Sequence, residues 1–142
     1  HSMLKIHKYH KDHVKDINLP YALSGVSRDA LTDHDDIVGY TLMDKDVILC
    51  IGGVHNMWQG VGEAWLVVSE EGFLRPMTIA KYVAGMFEVL ESENGFKRIQ
   101  ASVSMQDDIA LRFVQWLGFD EEGVMRKYGL DGSDYARFAR VN

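Results

Sequence analysis

The first pattern in this sequence that can do chemistry is an apolar run followed by a turn and a helix signal. Residues 64–68, Ala-Trp-Leu-Val-Val, are typical of a central strand buried on both faces. Residues 69–72 favour a turn, and Pro76 after Arg75 predicts that a helix begins there. The free amides and positive dipole end of such a helix form a natural seat for a phosphate, although a plain connection without a ligand fits the pattern equally well.

Two further patterns contain residue types that bind metals. His7, His10 and His13 recur at a spacing of three and would converge if all lay on one helix. His7, however, belongs to a strand pattern, and no carboxylate or thiol completes a recognisable site, so solvated histidines are the better interpretation. The acidic run at residues 33–36, Asp-His-Asp-Asp, is more typical of a solvated turn than of a cation site. We therefore predict no metal site.

Composition limits the class of protein. A chain of 142 residues with 46% apolar residues is long enough for one domain with a real core, which we place at residues 3–142, because His1 and Ser2 resemble the remainder of a cleaved expression tag. The formal charge of -6, without a cluster of lysines and arginines, argues against nucleic-acid binding. Cys50 is the single cysteine, and no run has the length of a membrane span or the pattern of a signal peptide. We expect a cytoplasmic protein that binds no membrane.

Alternating patterns predict the strands. Leu4 and Ile6 alternate with polar residues and indicate a first strand with one buried face. Residues 44–46, Asp-Lys-Asp, suit a tight hairpin, so three antiparallel strands precede the long helix. The predicted strands are 4–7, 37–43, 47–54, 64–68, 98–104, 124–130 and 135–141.

Spacings of three and four predict the helices. Val14 and Ile17 suggest a short helix before Pro20, and Ser27 can cap another. The long helix after Pro76 has the apolar stripe Ile79, Tyr82, Val83, Met86, Phe87 and Leu90. The last helix follows a cap at Asp107 and has the stripe Ala110, Phe113, Val114 and Leu117.

The end of the last helix supports a resemblance to a known family. Leu117-Gly118-Phe119 after an amphipathic helix, with the element order β, α, α, β, β, β, α, β, α, β, β, resembles the GNAT acyltransferase superfamily over nearly the whole chain. Within it, Ala64-Trp65-Leu66 followed by Ser69-Glu70 and Arg75 is most similar to the small GNAT-like proteins of tailed bacteriophages. The resemblance implies an α+β fold with a central mixed, mostly antiparallel sheet of about seven strands flanked by helices.

The resemblance also implies an acyl donor, acetyl-CoA, lying across the splayed ends of the central strand and the strand at 98–104. Amides near Val67 and Val68 would pair with the pantetheine arm like an added strand, and amides of residues 73–78 would cradle the pyrophosphate. Asp107 stands where the family often has an asparagine near the cofactor, and a helix cap is its simpler role.

The pyrophosphate loop departs from the family's pattern. Family members with a strong cofactor signal carry Gln/Arg-x-x-Gly-x-Gly/Ala, whereas the aligned stretch here is Phe73-Leu74-Arg75-Pro76-Met77-Thr78. Both glycines are replaced: Leu74 brings a side chain to the place where backbone should meet phosphate, and Pro76 removes one N–H donor. Arg75 can supply a compensating charge.

The implied chemistry needs a base and often an acid, because an attacking amine loses a proton and the thiolate leaving group benefits from a donor. Glu63 begins the central strand on the face of Trp65 and Val67, where many family members keep a glutamate that acts directly or through water. An exposed carboxylate at the start of a strand is the alternative. The family's usual acid is a tyrosine on the last helix, and Val114 takes its place here. Tyr128 on the terminal hairpin can substitute, although a strand tyrosine is more typically a packing residue.

Two functions fit these residues. The first is an N-acetyltransferase that moves an acyl group from acetyl-CoA to an amine on a small molecule or a protein. The alternative is a catalytically inactive GNAT-like phage protein with an internal virion or host-interaction role, found in the host cytoplasm or the virion. The replaced glycines and the missing tyrosine favour the second function, whereas Glu63, Arg75 and the strand-to-helix geometry favour the first, which we adopt.

The two large indoles at positions 65 and 116 should have different environments. Trp65 lies mid-strand and should line the cleft or core. Trp116 sits one residue off the apolar stripe of its helix and should be partly exposed. An exposed indole near a helix end is a candidate contact for a partner or for a homodimer, and it equally fits a helix edge that it merely covers.

Overall fold

The computed structural model describes residues 3–10, 12–13 and 37–142, and the strands of this part form one seven-stranded sheet. Its spatial order is β1-β2-β3-β4-β5-β7-β6, and each neighbouring pair is antiparallel except β4 with β5, which is parallel. The predicted mixed, mostly antiparallel sheet flanked by helices is confirmed. The strands are β1 (Leu4–Lys8), β2 (Ile37–Asp44), β3 (Val47–Trp58), β4 (Val61–Val68), β5 (Arg98–Ser104), β6 (Asp120–Met125) and β7 (Tyr135–Val141).

Three helices accompany the described strands: α1 (Glu70–Phe73), α2 (Pro76–Asn94) and α3 (Asp108–Trp116). The long helix begins at Pro76, as predicted, and ends at Gly95, whose φ of 66° is the left-handed conformation that glycine adopts without strain. The short helix α1 replaces the turn expected at residues 69–72. The Ser69 side chain accepts a hydrogen bond from the Gly72 amide at 3.0 Å and caps this single turn.

The sheet buries a different set of side chains on each face, as strand alternation requires. On one face, α2 and α3 cover the main core, to which β4 contributes Ala64, Leu66 and Val68. On the other face, Trp65 and Val67 of the same strand form a smaller cluster with Ile48 and Ile51 of β3. The helices thus cover the even-numbered face of β4, and Glu63 lies on the opposite face.

The two indoles differ as predicted. Trp65 is 4% exposed, and its ring meets Tyr9 edge to face with 5.1 Å between the ring centroids. Trp116 is 61% exposed and stacks on Phe113, with 6.4 Å between centroids and an angle of 11° between the planes. Trp65 therefore belongs to the core, and Trp116 to the outer surface of α3.

Several strand expectations need correction. β3 runs on to Trp58 and β4 already begins at Val61, so a shorter turn joins them than the sequence suggested. The first strand was expected to bury one face, but only Leu4 packs against the core, whereas Ile6 of this edge strand is exposed. The terminal pair was expected to begin at residue 124, but β6 already begins at Asp120 and ends at Met125. No residue of β6 is buried, so its sequence has no apolar alternation to mark it. The short helix at Val14 and Ile17, the Ser27 cap and the acidic run at 33–36 lie outside the described residues.

The histidines near the N-terminus do not converge. The His13 ring nitrogen Nδ1 lies 2.7 Å from the Thr41 hydroxyl oxygen, whereas His10 Nδ1 lies 3.3 Å from an Asp12 carboxylate oxygen. Within the described ranges, no three His, Cys, Asp or Glu side chains are placed to share a metal ion. Nor does any helix in that part have the length and apolarity needed to cross a membrane.

Candidate active site

The parallel strands β4 and β5 pair only over their first residues. Their ladder joins Val61 to Arg98, Gly62 to Ile99 and Glu63 to Gln100 and then stops. Beyond that point β4 stays paired with β3 as far as Val68, and β5 stays paired with β7 as far as Ser104. The two strands therefore splay apart, and backbone groups on their facing edges lack the other strand as a partner. Such an edge is where an extended ligand adds itself as a strand.

An apolar cleft opens between the splayed strands on the helix-covered face. Its cavity volume is about 60 Å³, so it is a narrow cleft and not a full-sized small-molecule pocket. Three alanines leave the room for it, because Ala64 of β4, Ala101 of β5 and Ala110 of α3 all line it. Val114, at the place of the family's usual tyrosine, also lines the cleft and gives it an apolar wall. The remaining lining residues are Trp65, Leu66, Phe87, Ser102, Val103, Phe113, Leu117 and Phe119.

Glu63 sits where the strands part, and three side chains from β5 and β7 hold its carboxylate. Gln100 donates Nε2–H to Oε1 at 2.9 Å. Arg137 donates from Nη1 to both oxygens, at 2.9 and 3.2 Å, and this ion pair has side chains only 21% and 27% exposed. The Ser102 hydroxyl donates to Oε2 at a longer 3.4 Å. We call Glu63, Gln100, Ser102 and Arg137 the polar network, which fixes the orientation of the carboxylate.

The polar network continues across the sheet toward β6. Arg98 donates from Nε to the Gln100 amide oxygen at 2.9 Å and forms a two-pronged ion pair with Glu122, at 2.9 and 2.5 Å. This hydrogen bond from Arg98 holds the pKa of Glu122 below its ordinary value, and the same bond raises the pKa of Arg98. Arg98 therefore holds the Gln100 side chain in the orientation in which Gln100 donates to Glu63.

Arg137, Gln100 and Ser102 were missed in the sequence. All three lie on alternate positions of strands that were correctly predicted, facing away from the helices. Alternation could have placed them on one face, but only the register, which sets Ser102 opposite Arg137, shows that they meet. Ser102 is 6% exposed and lines the cleft as well, so it links the cleft to the carboxylate.

Tyr128 lies in the turn after β6 and not in a strand as predicted. Its ring packs against Tyr135, with 5.5 Å between centroids, and its side chain is half exposed. Tyr135 pairs with Ser104, two residues beyond the Ser102–Arg137 pair. The phenol is therefore near the end of β5, on the same face as the polar network.

The loop expected to hold a pyrophosphate, residues 73–78, which we call the donor loop, already uses most of its amides. Phe73 donates its N–H to Ser69 at 3.0 Å, Leu74 to Glu71 at 3.3 Å and Arg75 to Gly72 at 2.9 Å, all to backbone oxygens. Pro76 has no N–H. Within the donor loop, all of which is described, this leaves only the amides of Met77 and Thr78, in the first turn of α2, without an acceptor.

The side chains of the donor loop are apolar or already paired. Leu74 and Met77 are 83% and 80% exposed. Arg75 donates from Nη1 to Asp44 at 2.7 Å, and this hydrogen bond holds the pKa of Asp44 below its ordinary value. Asp107, also expected near the donor, accepts a hydrogen bond from the Ala110 amide at 3.0 Å and caps α3.

Val67 and Val68 lie on the splayed part of β4, opposite Ile51 and Cys50 of β3. Both side chains are buried, Val68 toward the helices and Val67 on the opposite face. Their backbone edge toward β5 lies beyond the last β4–β5 pair. The structure thus brings Val67 and Val68 to the splayed edge and Glu63 to its apex, and it leaves Arg75 tied to β2.

At the level of sequence, no protein-family model and no curated protein matches the chain. Solved structures match it in fold. A GNAT-family acetyltransferase from Streptococcus pneumoniae has a TM-score of 0.75 at 13% identity, covering 97% of this chain and 98% of that one. A chimera of the spermidine N-acetyltransferase from Vibrio cholerae and hSSAT has a TM-score of 0.76 at 13% identity, with coverages of 99% and 96%.

A third solved structure, the ribosomal-protein-S5-alanine acetyltransferase from Vibrio fischeri, has a TM-score of 0.72 at 12% identity, with coverages of 100% and 94%. At such low identities the likeness reports the arrangement of helices and strands and not the chemistry of particular residues. The fold implied by the sequence is confirmed: this chain has the fold of the GNAT acetyltransferases.

Proposed function

We propose that this chain, as a single domain, is an N-acetyltransferase that transfers an acyl group from an acyl-CoA thioester to an amine. One observation carries the proposal: β4 and β5 part at Glu63, and an apolar cleft opens between their unpaired edges. This arrangement offers a strand-like seat for a thioester donor with a carboxylate at the point where the reacting groups would meet. The structural neighbours are acetyltransferases, which supports the same reaction class.

The donor would lie along the splayed edge of β4. Backbone groups near Val67 and Val68 would pair with the pantetheine arm, and the acyl group would reach toward Glu63. The amides of Met77 and Thr78 would face the phosphates, with Phe73, Arg75 and Asp107 around them. A donor that brings its own amide groups satisfies the strand edges, and this supports an extended ligand over a compact one.

Glu63 would receive the proton of the attacking amine, directly or through a water molecule. The amine nitrogen forms a bond to the thioester carbonyl carbon, the carbon–sulfur bond breaks, and sulfur leaves with the bonding electrons. Arg137 and Gln100 orient the carboxylate and keep it from turning into the sheet. Tyr128 would donate a proton to the departing sulfur, a role that requires the turn after β6 to bring the phenol over the splay.

The proposal leaves the acceptor as an amine of a small molecule or of a protein, in the cytoplasm where acyl-CoA is available. One structural neighbour is a spermidine N-acetyltransferase and another is a ribosomal-protein-S5-alanine acetyltransferase, and both acceptors are amines. A polyamine and a peptide with an N-terminal alanine are therefore the first two acceptors to try.

Release of free thiol from acetyl-CoA in the presence of each amine tests the proposal. The single cysteine of the chain will not interfere, because burial raises the pKa of the Cys50 thiol to about 12. We expect thiol release that needs both the amine and Glu63. If calorimetry shows no heat of acetyl-CoA binding even at millimolar concentration, the enzyme proposal is wrong.

One observation favours the alternative, a GNAT-like protein that binds without catalysis: the donor loop lacks its glycines, and its one arginine is paired with Asp44. The structural neighbours are acetyltransferases, so they favour the enzyme. They also lend no support to the narrower likeness to phage proteins, which forms no part of the proposal. Absence of donor binding in the calorimetry would select the alternative.

A further inference from the structure

We infer that the donor site recognises the acyl group and pantetheine arm of its thioester and gains little from the nucleotide phosphates. The inference rests on the proposed function, and it widens the class of donor from acyl-CoA to acyl-pantetheine thioesters in general, with CoA as one carrier among others. It follows from the difference between the two ends of the site in free backbone groups, charge and access.

Backbone donors are scarce at the phosphate end. Phosphate binding at a helix N-terminus relies on several free amides pointing at one anion. Across the donor loop, three amides already donate to backbone oxygens of α1 and its cap, and Pro76 has none. The two that remain, of Met77 and Thr78, are adjacent in the first turn of α2. A pyrophosphate would meet fewer than half of the loop's backbone positions as donors.

Charge at the phosphate end is also unfavourable. Arg75 is the one cation of the donor loop, and its ion pair with Asp44 has no net charge. Among the side chains of the donor loop, a phosphate group therefore meets no uncompensated positive charge.

Close approach is blocked as well. The loop's neighbouring glycine, Gly72, is buried against β3, and a Cβ there would collide with the carbonyl oxygen of Leu49. Its lack of a side chain therefore serves the packing of α1 on the sheet and not the approach of a ligand. Leu74 and Met77 of the donor loop carry almost fully exposed side chains, where glycines would leave the backbone bare.

The pantetheine end retains the backbone groups and the apolar lining that an extended arm would contact. The splayed edges of β4 and β5 present backbone groups beyond the Glu63–Gln100 pair, and the cleft between them is lined almost wholly by apolar side chains. An uncharged arm with two amides and a thioester matches such an edge, because each amide can be satisfied by a strand without any ion pair. The binding free energy should therefore come from the arm.

Calorimetric titration of the full chain with acetyl-CoA and with acetyl-pantetheine tests this inference. We expect the two dissociation constants to agree within about tenfold, which corresponds to about 1.4 kcal/mol. We also expect no competition from 3′,5′-ADP and little change in acetyl-CoA affinity with added salt. Tighter binding of acetyl-CoA by more than tenfold would overturn the inference and leave the proposed function standing. Failure of both donors to bind would overturn both.

A gain-of-function variant makes the test sharper. Met77→Lys places a cation beside the two free amides on a residue that is almost fully exposed, so the fold should tolerate it. We expect it to tighten acetyl-CoA binding about tenfold, as for a charge-assisted contact, and to leave acetyl-pantetheine unchanged. Val89→Lys adds the same charge to an exposed position of the same helix, about 18 Å along it, and should change neither donor. An unchanged acetyl-CoA affinity in Met77→Lys would overturn the placement of the phosphates at the donor loop, on which the inference rests.

Discussion

The two ends of the proposed donor site differ in how far they depend on particular side chains. The arm end, between β4 and β5, consists of strand edges, which any sequence that splays these strands will present. The loop end, residues 73–78, depends on particular side chains and on free amides, and here those are replaced or already bonded. A likeness at 13% identity concerns the fold, so it supports the strand edges of the arm end and says nothing about the side chains of the loop end.

The polar network lies between these extremes. Its carboxylate comes from the start of β4, but its partners come from β5 and β7, up to 74 residues away in the chain. Arg98 and Glu122 extend it outward and hold Gln100 in place. A carboxylate held on three sides at the apex of the splay is a stronger mark of a working site than the donor loop is.

The largest effect should follow from removing the charge at the apex. Glu63→Gln keeps the shape and an acceptor oxygen for Gln100 and Arg137 but cannot take a proton from the amine. We expect the turnover number to fall by about 10²–10⁴-fold, with donor binding unchanged, measured by thiol release and calorimetry. Glu121→Gln on exposed β6 is the matched control and should keep full activity. An active Glu63→Gln enzyme would assign the base to another group.

The next prediction concerns the stability of the fold and not the chemistry, although Trp65 lies on the same strand as Glu63. Trp65→Ala removes a side chain that is 96% buried beneath the apex, and it should lower the free energy of unfolding by about 3–5 kcal/mol. Trp116→Ala should change it by less than about 0.5 kcal/mol, since that indole is mostly exposed. Chemical denaturation measures both. A strongly destabilised Trp116→Ala would mean that its stack on Phe113 supports the cleft wall.

Sedimentation of the Trp116→Ala variant tests separately whether this surface is a homodimer contact or an indole that only covers the helix edge. If the chain self-associates through this surface, the variant should sediment more nearly as a monomer than the unmutated protein does. An unchanged association would assign the contact to another surface.

The elements that the sequence predicted well are those whose side chains alternate between core and solvent. The long helix, β4 and β7 show this, because buried positions such as Val83, Leu66 and Phe138 recur with the period of their element. β6 could not be found in the same way, since none of its residues is buried. The helix α1 did leave a signal, a serine cap followed by two glutamates, that the turn interpretation passed over.

The site was only partly accessible from the sequence for a related reason. Glu63 could be placed at the start of a strand by local pattern, whereas Arg137 becomes a site residue only through the β5–β7 register. The state of Arg75 was equally out of reach. Its position after the turn predicted a charge available to a phosphate, and its pairing with Asp44 is a contact across 31 residues that no local pattern specifies.

A smaller effect would break the arm end directly. Ala110→Leu places three more carbon atoms in the cleft from α3, where Ala110 is buried. We expect it to weaken acetyl-CoA and acetyl-pantetheine binding alike, by about tenfold or more, and to cost about 1–3 kcal/mol of stability through overpacking. Exposed Ile109→Leu on the same helix is the control. If only one donor were weakened, the two would not share the cleft.

The smallest effect is expected at Arg75, and it tests whether this side chain contacts the phosphates of the donor. With its guanidinium paired to Asp44, Arg75→Ala should change the acetyl-CoA dissociation constant by less than about threefold, whereas a charge-assisted bond to phosphate would make the loss about tenfold or more. The pH dependence of stability gives an independent check. Because the hydrogen bond from Arg75 lowers the pKa of Asp44, the pair's contribution is present at neutral pH and is lost as pH falls below the ordinary range of an aspartate. Arg75→Ala should remove that acid-sensitive part in urea titrations between neutral and acidic pH. A variant that loses both the acid sensitivity and acetyl-CoA binding would show that, in the complex, Arg75 leaves Asp44 for the phosphates.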